Sequence, residues 1–440
     1  MQRSRSLVRT AAVACVIGGL MLTGACGAGS KTAEKTATKV GCDIDKPAQA
    51  TTVNILAYNS SAIDPYTNTM IASCTGDNLT LKHDPIDFGG QVQKTAATLA
   101  GDTGTYDLIE EYSAGIPQYA KEGKLLPLDD LFAKYKDKYS LGDLDQTMLK
   151  GMSYDGKLYG LPTQANISIW TYRKDVFDEM GLSFPKDFDE LKQTVAKIQK
   201  AGKYKYPLAM PLLSSGDITT RYNMGMYSQG KDLADGEKSN FNTPQSKNFL
   251  DKLHGLAPYM DPQVTTFDQP KVQQQLFNGN AVIAEMYSGR MVDLINAKNT
   301  KFSDKFGFAM GPTVEPGGDP YSTVSVDGWS IPKNAGADPD LLFQLMAASV
   351  APKAAEESIP AAYPSRGGVA NAQNVPWFDA IDSSIKGGAP TPPMKAWYSE
   401  YSIAVRPFIS QAVQGQLSVD DAAAKAAKAH NDVLAKYAGK

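Results

Sequence analysis

Short apolar runs alternate with amphipathic stretches along most of the chain. Val53 to Tyr58 reads VNILAY, a buried-strand pattern that ends in the loop formers Asn59, Ser60 and Ser61. Leu79 to Asp84 (LTLKHD) predicts a second strand, Gly90 to Gly101 (GQVQKTAATLAG) a helix, and Tyr106 to Tyr112 (YDLIEEY) a third strand. Strands alternating with helices argue for βαβ units, mostly parallel sheets and an α/β fold. The clearest helix lies in Lys186 to Gly202, where Phe188, Leu191, Val195 and Ile198 recur at helical spacing, acids crowd the start and Gly202 follows the last basic residue. Another begins at Ser418, whose Ser-x-x-Asp pattern with Asp421 is a capping box, and runs through alanine-rich sequence to Tyr437. No self-similarity recurs at periods of 20 to 50 residues, which excludes solenoids and propellers.

The first residues follow a different logic. Arg3, Arg5 and Arg9 precede an apolar run from Ala11 to Leu22, and the small residues Gly24 and Ala25 follow it. That is the layout of a secretory signal peptide over residues 1–25, and the run is too short for a membrane span of about 20 apolar residues. Leu22-Thr23-Gly24-Ala25-Cys26 resembles the lipobox of bacterial lipoproteins, with the leucine one position further from the cysteine than usual. The resemblance implies lipidation at Cys26, with two acyl chains holding a soluble domain to the outer face of the cytoplasmic membrane. Residues 26–50 are small, polar and without apolar periodicity, so they read as a flexible tether. Cys15 leaves with the signal and Cys26 is lipidated on this reading, which leaves Cys42 and Cys74 as a candidate disulfide in an oxidising compartment.

Composition narrows the function classes. The 440 residues carry 44 Lys+Arg against 47 Asp+Glu, and losing the three leader arginines takes the formal net charge from −3 to −6. No basic stripe follows a phosphate backbone, so nucleic acid is not an expected partner. His83, His254 and His430 stand apart, with no H-E-x-x-H and no C-x-x-C, so zinc sites and histidine triads lack their parts and no metal or cofactor is expected. Gly225 to Asp232 (GMYSQGKD) imitates a P-loop but puts Asp232 where the magnesium-binding Ser or Thr belongs. Ser383 to Lys386 is an S-x-x-K without the companion motifs. Of the adjacent acid pairs, Glu110-Glu111 stands out because it ends a strand, where α/β folds place ligand contacts.

Tyr154 to Pro162 reads YDGKLYGLP and is followed by TQANISIWTYRKDVFDEMGLSFPKDFDEL, Thr163 to Leu191. This stretch resembles the extracellular solute-binding proteins of bacterial carbohydrate ABC importers. Further matches come in order: LFNGNAVIAEMYSG (Leu276 to Gly289), FGFAMGPTVEPGG (Phe306 to Gly318), SVDGWSIPKNAGADPDLLFQLM (Ser325 to Met346), AAYPSRGGVAN (Ala361 to Asn371) and QAVQGQLSVDDAAAKAA (Gln411 to Ala427). Arg173 departs from the commoner tyrosine-asparagine-lysine-aspartate and is similar to the branch that handles sugar alcohols.

The resemblance implies a two-lobed periplasmic-binding-protein-like (type II) α/β fold with a hinge and an interlobe cleft. It divides the chain into lobe 1, residues 51–163 and 286–334, and lobe 2, residues 164–285 and 335–440. It also implies a monomer that is no enzyme, takes a carbohydrate ligand, and works with ABC permease subunits and their ATPase. Sugars offer hydroxyls to planar polar groups and C–H faces to aromatic rings. The site residues that the resemblance suggests are Asn59, Glu111, Tyr112, Asn166, Trp170, Tyr287, Arg290, Asp327, Trp329, Arg366 and Trp397. Two alternatives remain: a non-sugar solute such as a glycerol phosphate ester, peptide or osmolyte, and a surface glycoside hydrolase using Glu110 or Glu111.

Overall fold

The computed structural model describes residues 37–438, so the expected signal peptide and the lipidation site Cys26 lie outside the described residues. Nine strands form one sheet: β1 (Thr51–Tyr58), β2 (Leu79–Ile86), β3 (Leu108–Tyr112), β4 (Leu161–Arg173), β5 (Leu208–Ala209), β6 (Ile283–Tyr287), β7 (Phe306–Ala309), β8 (Val324–Ser330) and β9 (Tyr363–Pro364). The spatial order is β2-β1-β3-β8-β4-β6-β5, with β7 and β9 also pairing with β4. β1 runs parallel to β2 and β3, and β5 parallel to β6. The remaining pairings are antiparallel, so the sheet is more mixed than simple βαβ alternation predicts.

The cause is β4. Its thirteen residues are almost wholly buried, and its two halves serve different partners. Leu161 to Ile167 pair with β8, while Ser168 to Tyr172 pair with β6 and Trp170 to Arg173 with β7. One extended strand therefore enters both lobes, and the changeover falls between Ile167 and Ser168.

Local signals fix the helices that flank the sheet. Helix α1 (Asp64–Cys74) follows β1 with Pro65 in its first turn, where the missing N–H costs nothing. Helix α2 (Phe88–Ala100) begins two residues before the predicted start because Asp87 caps it, accepting the Gly90 N–H at 2.7 Å. Asp187 caps Phe188–Lys200, which buries the predicted Phe188, Leu191, Val195 and Ile198. Ser418 caps Val419–Tyr437, accepting the Asp421 N–H at 3.1 Å.

Three segments sit elsewhere than the expected division puts them. From residue 37 the chain is anchored instead of loose: Thr38 donates to Glu357 at 2.7 Å, the Asp45 N–H to Gln344 at 3.1 Å, and Cys42 is bonded to Cys74. Pro339–Ser349 and Pro352–Glu357 pack on α1, and Tyr135 donates to Asp340 at 2.7 Å, so this stretch lies with the first lobe. Phe306–Ala309 pairs with the far half of β4 and lies with the second. Apolar periodicity marks which face of an element is buried, not which sheet it covers.

Candidate ligand-binding site

The parallel strands β2, β1 and β3 all end on one edge, and the site residues gather there. Tyr58 closes β1, Phe88 opens α2 just beyond β2, and Tyr112 closes β3. The Phe88 ring lies edge-on to both tyrosines, with centroids 5.8 Å from Tyr58 and 5.5 Å from Tyr112, and Phe88 itself is 46% exposed. An apolar ring held by two others while half its surface faces solvent is a stacking platform. Asn59 follows Tyr58, half-buried, its N–H given to the Ile86 carbonyl.

Strand alternation sorts the acids. Glu110 and Tyr112 share a face, and Asp327 of β8 stands opposite Tyr112 in the register. Glu110 is 1% exposed; its Oε2 accepts the Tyr58 N–H at 2.6 Å, and its carboxyl also has the Tyr112 hydroxyl beside it as a hydrogen-bonding neighbour. The buried Gln164 Oε1 lacks a partner. Asp327 Oδ2 accepts from Asn166 Nδ2 at 2.5 Å and Gln164 Nε2 at 3.2 Å. Burial outweighs those bonds and pushes the Asp327 carboxyl up to about 7. Burial, with Asp327 beside it, holds Glu110 well above the usual carboxylate range.

Glu111 points away from this group. Its Oε1 accepts the Tyr112 N–H at 3.0 Å and lies where a Cβ on Gly115 would meet it at 2.2 Å. Burial pushes it up to about 8.

The segment after β6 supplies the facing wall. Arg290 binds the Tyr58 hydroxyl, and its guanidinium carbon sits 5.4 Å from that ring's centre. Gly289 gives its N–H to Asn166 Oδ1 at 3.3 Å, and Ser61 donates to the Gly289 carbonyl at 3.1 Å. Desolvation lowers the Arg290 guanidinium to about 10. Behind it, Tyr287 lies under Arg221, whose Nε and Nη2 grip Glu285 at 2.8 and 3.0 Å while Nη1 meets Asp217 at 3.1 Å.

The structure thus brings Tyr112, Asn166, Arg290 and Asp327 together, with Asn59 and Tyr287 at the margins. The other sequence-based site residues lie outside this group. Trp170 is fully buried, edge-on to Phe184 and Tyr321. Trp329 gives its indole N–H to Ser349 at 2.9 Å. Arg366 donates to the carbonyls of Val350, Ser140 and Tyr139. Trp397 lies against Tyr401 and His430, whereas its neighbour Tyr398 accepts a bond from Asn223 at 2.9 Å. Sequence reasoning missed Tyr58, Phe88 and Gln164; the first two were legible only as aromatics flanking predicted strand ends.

Among the described residues, no helix is long and apolar enough to cross a membrane and no group of His, Cys, Asp and Glu is arranged for a metal. The P-loop imitation falls at the end of helix Asp217–Ser228 and its turn, and Ser383 to Lys386 lies in helix Phe378–Lys386. Two surface cavities, of about 680 and 200 Å³, lie away from the cluster.

Comparison with known proteins agrees with this architecture. A ribitol-bound ABC transporter solute-binding protein from Agrobacterium radiobacter K84 superposes at TM-score 0.76 with 18% identity, covering 88% of this chain and all of that one. A mannitol-bound counterpart from Agrobacterium vitis S4 gives 0.74 with 22% identity over 88% and 99%. Maltose-bound MalE3 of T. maritima gives 0.75 with 17% identity over 86% and 98%. These likenesses establish the two-lobed fold. Among curated proteins, a probable amino-acid ABC transporter periplasmic-binding protein of Sinorhizobium fredii is 22% identical over 305 residues, 64% of this chain and 67% of that one. The mannitol-binding protein of Pseudomonas aeruginosa is 31% identical over 122 residues, 27% of each. The chain spans about half the length of the putative binding protein of Brucella abortus that it matches. The family model for bacterial extracellular solute-binding proteins matches residues 47–377, three quarters of the sequence, and the chain belongs to that family.

Proposed function

We propose that this protein is the lipid-anchored substrate-binding subunit of an ABC importer that captures a sugar or sugar alcohol between its lobes. The observation that carries the reading is the pairing, on one sheet edge, of the exposed Phe88 ring with a buried polar group, Glu110 with Tyr112 and Asp327 with Gln164, whose Oε1 lacks a partner. A polyhydroxylated ligand suits both halves, its hydroxyls meeting the polar group and its C–H face the ring. The ligand-bound relatives named for ribitol, mannitol and maltose support the same cargo class. The curated relative named for amino acids keeps a non-sugar solute as the second reading.

Contacts made only when both lobes hold the ligand stabilise the closed form, which the permease reads as loaded. Docking falls on the cleft-side tips of the two lobes, and the partner ATPase supplies the energy. The tether from Cys26 keeps the protein at the membrane face. A glycoside hydrolase using Glu110 or Glu111 is the reading from another class; adjacent strand residues face opposite ways, so the two could not serve as its carboxylate pair with each other.

A thermal-shift screen followed by titration calorimetry against mono-, di- and oligosaccharides and sugar alcohols tests the reading. One tight, unhydrolysed carbohydrate is expected. Silence from the whole panel with folded protein would sink it and bring amino acids and peptides forward. Metabolic labelling with a palmitate analogue, lost in Cys26→Ala, tests the anchor.

A further inference from the structure

The wall that β3 and β8 build is acidic and uncompensated. Glu110 is buried beside the neutral Tyr112 phenol, and the titratable groups that act on it through their charge, Asp327, Glu111 and Asp64, are all carboxyls. The bonds to Asp327 come from the neutral side chains of Asn166, Gln164 and Ser325, and the group facing it from α1 is the Tyr66 phenol. Among the described residues no Lys or Arg pairs with Glu110 or Asp327. The cation on the facing segment, Arg290, is taken up by Tyr58 and Gln273, with Asp293 acting on it.

Burying a carboxylate without a counter-charge is costly, so such a group holds its proton until a cation completes the pair. The same corner offers the Tyr112 oxygen, which keeps a lone pair for accepting when its proton goes to Glu110, and the exposed Phe88 ring at the rim. Carboxylates joined to an aromatic face are the standard means of holding an ammonium group, through charge-assisted hydrogen bonds and attraction to the ring.

We infer that the cargo carries a cationic nitrogen, as in an amino sugar or an amine-bearing sugar alcohol, with its ammonium against Glu110, Asp327 and the Tyr112 hydroxyl and its carbon face on Phe88. This rests on the carbohydrate reading above and narrows it. A cation favours the ionised carboxylates, so its binding expels protons from Glu110 and Asp327 and strengthens as pH rises from 5.5 to 7.5.

The test is titration calorimetry of the purified protein with matched pairs, D-glucosamine against D-glucose and N-acetyl-D-glucosamine, and glucamine against sorbitol, in two buffers of different ionisation enthalpy. At least tenfold tighter binding of the amine in one pair, with proton release, is expected. Glu110→Gln should narrow that ratio to within about threefold. If that variant does not fold, as judged by its melting transition, Asp327→Asn is read in its place. A neutral partner bound as tightly as its amine overturns the inference and leaves the carbohydrate reading standing. No binding by any of the five overturns the inference, and the wider panel then decides the carbohydrate reading.

Discussion

Asn166 and Asp327 meet across β4 and β8 at 2.5 Å, and the same Asn166 amide takes the Gly289 N–H on its oxygen at 3.3 Å. One side chain therefore ties the acid of the first sheet to the segment that carries Arg290. Asn166→Ala removes both bonds and leaves Asp327 to Gln164 and Ser325. A lost bond to a buried partner such as Asp327 costs about 1–3 kcal/mol, and if that cost falls on the liganded form it reads as a roughly five- to 150-fold loss of affinity in calorimetry. Asn166→Asp is expected to be worse at pH 8 than at pH 5, because it sets a second carboxylate against Asp327.

Phe88→Ala separates binding from folding. The ring is 46% exposed and its two contacts are edge-on tyrosines, so the melting temperature should hardly move. Loss of a stacking face of this kind weakens binding by about 1 kcal/mol, several-fold in Kd. Unchanged affinity would remove Phe88 from the site.

Stability should fall as pH rises from 6 to 8.5. Burial raises the carboxyls of Asp327 to about 7 and Glu111 to about 8. A carboxyl raised in the folded state stabilises it fully below the unfolded value, near 4, and that contribution is lost as pH climbs through the folded one. Asp217, raised to about 6, loses its share lower down. His430 runs the other way: burial lowers it to about 4, so its contribution is complete above the unfolded value near 6.5 and disappears in acid. Glu111→Gln should flatten the melting curve between pH 7 and 8, where Asp327 has already given up most of its share.

The strands β1 to β3 and the helices capped by Asp187 and Ser418 were legible because each is set by its own apolar spacing and cap. β4 was legible only through the family resemblance, since nothing in the spacing of LPTQANISIWTYR says that its first half pairs with β8 and its second half with β6 and β7. The site divides along the same line. Asn166 and Asp327 stand in segments that the family resemblance marked, Arg290 directly follows one, Tyr112 closes a strand read from apolar spacing, and the fold brings them together. Trp170 and Trp329 also stand in marked segments, yet both rings are buried in the core, Trp329 directly opposite Glu110 in the register. Glu110 was passed over for Glu111 in the site assignment because only the register with β8 shows which acid shares a face with Asp327. Phe88 was missed because its ring gains meaning only from the rings of Tyr58 and Tyr112, which are far from it in sequence.

Arg366 illustrates how a residue in a marked segment can be structural. Its nitrogens donate to the carbonyls of Val350, Ser140 and Tyr139, tying three stretches of backbone around the foot of helix Pro339–Ser349. Arg366→Ala leaves those buried acceptors unpaired and is expected to cost about 3–5 kcal/mol of stability, read as a lower denaturation midpoint. The fraction that folds should bind ligand within twofold of the parent. A large loss of affinity without loss of stability would return Arg366 to the cleft.

The Cys42–Cys74 bond fastens the start of the described chain to the end of α1, and the neighbouring contacts act in the same direction. Lys46 donates to the Cys74 carbonyl at 3.1 Å, Tyr139 to the Asp43 carbonyl at 2.5 Å, and Ile44 is buried. A cross-link spanning 32 residues removes about 3–4 kcal/mol of chain entropy from the unfolded state. Reduction, or Cys42→Ser with Cys74→Ser, should therefore lower the denaturation midpoint and make Lys39 an early trypsin site. Ligand affinity should hold, because the strap lies against α1 and helix Pro339–Ser349, away from the edge where Phe88, Tyr112 and Asp327 gather. A fall in affinity that tracks reduction would mean that the strap holds the first lobe in its binding geometry, and the tether would then act on capture as well as on location.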